Sequence, residues 1–103
     1  MDVEPGQLVK SLVGRDKEKH YLVIGLEGDR VVLADGRGRP VSRPKKKNLK
    51  HLQSYRYIVP GLKERIRQGS INDTEVRNIL NTLLEKNDNL RLQYLRNFSD
   101  GES

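Results

Sequence analysis

The stretch HYLVIGL (20–26) restricts the fold most, because neither of its two alternating sets of side chains is polar. Tyr21, Val23 and Gly25 alternate with Leu22, Ile24 and Leu26, so a strand here is buried on both faces or curves through a small barrel. It has short apolar neighbours in QLVKSLV (7–13) and RVVLA (30–34). In the first of these, Leu8, Lys10 and Leu12 alternate with Val9, Ser11 and Val13. EGD (27–29) reads as a tight turn. Asp35-Gly36 reads as another, since two-residue hairpin turns favour residues that tolerate φ > 0. A fourth strand is then expected over 37–43, with Pro40 at an edge or bulge, and a fifth over 48–52. Short strands crowded into half a chain predict a barrel, because closure removes exposed edges.

The second half changes period. YIVPGLKERIRQG (57–69) predicts a short helix starting near Pro60, a good first-turn residue, and stopping at Gly69. INDTEVRNILNTLLEKN (71–87) carries the clearest helical signal. Asn72 is the expected N-cap, with Glu75 placed to reach back to the cap's N–H and Ile71 and Val76 placed as a hydrophobic staple. Val76, Ile79, Leu80, Leu83 and Leu84 form one stripe, expected to pack on the strands or the shorter helix. Lys86 suits the negative end of the helix dipole. Residues 88–98 read as more helix, and SDGES (99–103) as a disordered tail.

The resulting fold class is mainly β, a small barrel with a helical C-terminal extension. The expected division is 1–53 barrel, 54–98 helical extension packed on or beside it, and 99–103 tail. The 103 residues are only 34% hydrophobic, so the core must be small. With no cysteine, disulfides and thiolate chemistry are excluded, which fits a reducing intracellular compartment. No apolar run reaches the length of a membrane span, and the first residues lack a signal-peptide core.

A net charge of +6 points to a polyanionic partner. Residues 1–53 hold twelve Lys and Arg against seven Asp and Glu, so the front half is the expected binding half. Two basic segments lie there. Gly14 leads into Arg15, Asp16, Lys17, Glu18 and Lys19, where a glycine bend can bring backbone N–H groups and cations to phosphates. On composition alone, a solvated turn neutralised by its own acids is as good a reading. The second segment, GRGRPVSRPKKKNLK (36–50), has seven cations and no acid. A solubilising loop or a nuclear-import signal competes there with nucleic-acid binding.

The run GQLVKSLVGRDKEKHYLVIGLEGDRVVLADGR resembles the KOW motif of ribosomal proteins and NusG-type transcription factors. Gly14 falls on the motif glycine, Arg15-Asp16-Lys17 on its charged turn, and Tyr21-Leu22-Val23-Ile24 on its second strand. Through DRVVLADGRGRPVSRPKKKNLKHLQ the likeness extends over residues 6–53 to the SH3-like barrel of the family akin to large-subunit ribosomal protein fourteen-e, including its small bacterial members. One departure stands out: many KOW turns have glycine where this chain has Glu18.

The resemblance implies RNA binding, ribosome association and a cytoplasmic setting, with no catalysis and no cofactor. The expected RNA-binding residues are Arg15, Lys17, Lys19, Arg37, Arg39, Arg43, Lys45, Lys46, Lys47 and Lys50. Gly14 and Gly36 are the expected structural turns. Tyr55 and Tyr57 are candidates for stacking on unpaired bases, with packing between barrel and helices the competing fate, and Tyr21 is expected in the core. His20 and His51 fall short of a metal-ligand set. The expected partner is RNA, ribosomal RNA foremost, with ribosomal proteins beside it and no membrane. The rival is a transcription or translation regulator whose barrel binds a protein. Oligomeric state has no signature in the sequence.

Overall fold

The computed structural model describes residues 3–85. Five strands, β1 (Gln7–Ser11), β2 (His20–Glu27), β3 (Arg30–Ala34), β4 (Lys45–Asn48) and β5 (Leu52–Ile58), form one antiparallel sheet. Its spatial order is β4-β3-β2-β1-β5, so the first four strands run as a meander and the fifth returns to pair with the first. Helices α1 (Leu62–Arg67) and α2 (Asp73–Glu85) follow.

Over Tyr21, Leu22 and Val23 both sides of β2 are buried, each in its own core, while Leu26 near the strand's end is exposed. Tyr21 and Val23 join Val9, Val31, Leu33 and Leu52 on one side of the sheet. Leu22, opposite Leu8 across the ladder, joins Tyr55 and the helical residues Leu62, Val76, Leu80 and Leu83 on the other. Two cores of this kind each use few apolar side chains, and Val13, Leu26, Tyr57 and Ile58 stay exposed outside them. The register between β2 and β3 shifts between Val23 and Gly25, leaving Ile24 as the extra residue of a bulge.

The helices form as their pattern demands. Asn72 caps α2 by accepting a hydrogen bond from the Glu75 N–H at 2.9 Å. Ile71 and Val76, flanking that cap, are both buried in the helical core, as a staple requires. The Glu75 side chain departs from expectation. It pairs with Arg65 of α1 instead of reaching back to the cap, joining the two helices by an exposed ion pair. Of the stripe on α2, Val76, Leu80 and Leu83 are buried, with Ile79 and Leu84 packed at the margin.

Three expectations are corrected. Residues 37–43 are loop, and the fourth strand is Lys45–Asn48. Asp35-Gly36 makes no two-residue hairpin; the Asp35 carboxylate accepts from the N–H groups of Arg37 and Arg39 at 2.8 and 2.9 Å, folding the chain into a compact loop. The fifth strand begins where it was expected to end. Leu49–His51 is a one-turn 3-10 helix, with the Asn48 side chain accepting from the Lys50 N–H, and β5 runs on to Ile58. A barrel boundary at residue 53 therefore cuts β5, and the helices share a core with β1, β2 and β5. Expectations for Lys86, 88–98 and the 99–103 tail fall outside the described residues.

Candidate functional site

The β1–β2 turn is built around one carboxylate. Gly14 (φ 92) and Glu18 (φ 78) take left-handed conformations, and backbone bonds from Lys17 to Gly14 and from Lys19 to Asp16 close the turn. Glu18 thus holds a conformation usually left to glycine. Asp16 turns inward and is buried. It accepts from the Ser11 hydroxyl at 2.8 Å and the Tyr21 hydroxyl at 2.9 Å. Two ammonium groups complete the shell, Lys47 at 2.9 Å and Lys45 at 3.0 Å, both from β4. Burial alone would push the Asp16 carboxyl up, but the bonds from Lys47, Lys45, Ser11 and Tyr21 outweigh it and hold the group well below the usual carboxylate range. Burial pushes the Tyr21 hydroxyl up, and its bond to Asp16 adds to that.

The second basic segment is docked on α2. The Val41 N–H donates to the Asp73 carboxylate at 2.7 Å, and the Arg77 guanidinium donates to the Gly36 carbonyl at 2.7 Å. Gly36 (φ 75) lies so close to the helix that a Cβ would fall 2.5 Å from the Asp73 carbonyl oxygen. Asp73 and Arg77, one helical turn apart, therefore anchor the loop that carries Arg37, Arg39 and Arg43. Neither was among the expected site residues. Their spacing of four on a helix places them on one face, which is the signal that could have found them.

These anchors bring the two basic segments together. Arg15 and Lys19 of the first face Arg39 and Lys45 of the second across a cleft of about 240 Å³ whose floor includes Asp16 and Tyr21. Asp35 also lines it, with one carboxylate oxygen accepting from two backbone N–H groups. A neighbouring cleft of about 350 Å³ adds Arg37, His20 and Arg77, with Lys19 common to both. Arg15, Lys17, Lys19, Arg37, Arg39, Arg43 and Lys50 are exposed and make no side-chain ion pair among the described residues.

The lysine run behaves differently. Successive strand residues point to opposite faces, so Lys45 and Lys47 turn to Asp16 while Lys46 pairs with Glu27 at 2.9 Å on the exposed face. Lys45 and Lys47 are thus structural partners of the turn. Lys17, Arg43, Lys46 and Lys50 line neither cleft. Tyr55 is buried, with its hydroxyl and the His20 Nε2 sharing a hydrogen bond of 2.8 Å, so it has no face to offer a base. Tyr57 is exposed but sits on another side, lining a cleft of about 230 Å³ with Val59, Ile79 and Leu83. Among the described residues, no three His, Cys, Asp or Glu side chains gather as a metal ion would need, and no helix is long and apolar enough to cross a membrane.

Compared with protein-family models and with curated proteins, the chain matches none.

Proposed function

We propose that this protein binds folded RNA, ribosomal RNA foremost, by seating the sugar-phosphate backbone against the paired basic segments. The observation that carries this reading is the convergence of Arg15 and Lys19 with Arg39, from two separate loops, on one cleft in which the buried Asp16 is already neutralised from within by Lys45 and Lys47. Cations left over after internal pairing are available to phosphates, the groups that supply most of the affinity in such complexes.

The architecture agrees with an SH3-like barrel of the KOW type. A four-strand meander whose fifth strand returns to pair with the first is compatible with a small barrel and supports that reading. The left-handed Glu18 supports the same reading, because it adopts the backbone shape that the usual turn glycine provides. On this reading the protein is a binding module of the translation apparatus, acting in the cytoplasm without cofactor or catalysis.

Lys45 and Lys47 hold the turn, so the test leaves them alone. Arg15→Ala, Lys19→Ala and Arg39→Ala are combined, and affinity for purified ribosomal RNA fragments is measured against salt concentration. The slope of log affinity on log salt should flatten by about one for each phosphate that is no longer neutralised. An unchanged slope, or wild-type affinity insensitive to salt, sinks the reading. One observation favours a protein partner instead: the apolar cleft of the exposed Tyr57 with Val59, Ile79 and Leu83. Salt-insensitive RNA binding together with loss of a protein complex on Tyr57→Ala would select that alternative.

A further inference from the structure

An acid in a phosphate-binding turn ordinarily weakens binding, since it repels the ligand and cancels a cation. Asp16 is placed to do something else. Its oxygens are directed inward, toward donors from three strands: Ser11 on β1, Tyr21 on β2, and Lys45 and Lys47 on β4. Lys47 also donates to the Val13 carbonyl at 2.8 Å, a second tie between β4 and the same turn. Arg15 and Lys17, on either side of Asp16, are exposed. Lys45 opens the strand that directly follows the loop carrying Arg37, Arg39 and Arg43. The carboxylate therefore joins the two basic segments and fixes the width of the cleft between them.

We propose that Asp16 is a positioning residue for RNA recognition: it sets the separation of the 15–19 turn and the 37–43 loop, so that the protein selects folded RNA over a flexible single strand. This rests on the RNA-binding reading above. Rigid spacing matters only for a ligand whose phosphates are themselves fixed in space. A flexible strand adapts to any arrangement of cations and responds to charge alone.

Charge and geometry then make opposite forecasts for Asp16→Asn. The substitution raises the net charge by one from +6, retains every cation, and releases Lys45 and Lys47. On charge alone, all RNA would bind more tightly. On positioning, affinity for purified ribosomal RNA fragments should fall about tenfold, the equivalent of one charge-assisted hydrogen bond, while affinity for poly(U) holds or rises. The ratio of the two affinities is measured for each protein well below its own melting temperature. A residue that served stability alone would leave that ratio unchanged.

An unchanged ratio, or tighter binding to both RNAs, overturns the proposal while leaving RNA binding intact. If Asp16→Asn does not fold, the double variant Ser11→Ala, Tyr21→Phe decides. It keeps Asp16 and all the cations but removes the two neutral donors, and the ratio should fall in the same direction by about threefold, half the effect on a logarithmic scale. An unchanged ratio there overturns the proposal as well. Wild-type protein with no salt-dependent affinity for either RNA would overturn the functional reading itself, and this inference with it.

Discussion

His20 begins β2 with its ring partly buried against Tyr55, the ring centres 5.7 Å apart. Burial, helped by the charge of Lys10 and opposed by Glu18, holds its imidazole below the ordinary value of 6.5. The unfolded chain therefore takes up this proton first. Stability is fully present above about pH 6.5 and declines as the pH falls from there toward the lower folded value. Thermal melts of the wild type should shift downward between pH 7.5 and 5.5, and His20→Gln, which keeps a partner for the Tyr55 hydroxyl, should flatten that shift. A shift of the same size in the variant would assign the loss to another group. Asp16 also favours the folded state at higher pH, but its contribution is lost only as the pH falls below the ordinary carboxylate value of 3.8, so the two effects separate along the pH axis.

Individual elements differ in how openly their residues announce them. Strands β1 to β3 and helix α2 are written in local pattern, and Asn72 caps α2 where an N-cap was expected. The 35–44 loop and β4 are not. Lys-Lys-Lys-Asn has no apolar side chain to mark it as a strand; it pairs with β3 because Asp16 receives two of its lysines and β3 offers an open edge. The preceding loop takes its shape from Asp73 and Arg77, more than thirty residues away in sequence, and no window of local propensity spans that distance. The cations of the candidate site were legible from composition. The inward turn of Asp16 was not, since an acid among lysines reads as neutralisation. The docking of loop on helix yields a direct test. Gly36→Ala adds a Cβ against the α2 backbone at a positive φ, and should cost about 2 kcal/mol or more in chemical denaturation. A loss below about 0.5 kcal/mol would show that loop and helix can separate without consequence.

At the scale of the whole molecule, the helices cannot be treated as an appendage. Leu62, Ile71, Val76, Leu80 and Leu83 cover the face of the sheet that carries Leu8, Leu22 and Tyr55. Burial of each such side chain contributes about 1.5–3 kcal/mol, so together they match the 5–15 kcal/mol net stability of a typical domain. A chain ending at Ile58 keeps all five strands, yet should lack a cooperative thermal transition and expose that face to hydrophobic dyes. A sharp melt for residues 1–58 would mean that the sheet's inner core suffices alone. Because the same helices hold the loop bearing Arg37, Arg39 and Arg43, their removal would also separate the two halves of the candidate site.

The apolar residues on both sides of β2 carry a final consequence. In most sheets a strand that slides by one residue is punished by turning its greasy side to water. Around Tyr21, Leu22 and Val23 such a slide would exchange one dry interior for another, so hydrophobicity objects less than usual. What objects is the tyrosine: displaced by one position, the Tyr21 ring would swing to the helix side and strand its hydroxyl away from Asp16. The carboxylate that aligns the basic loops would then also act as the key that admits a single alignment of the central strand.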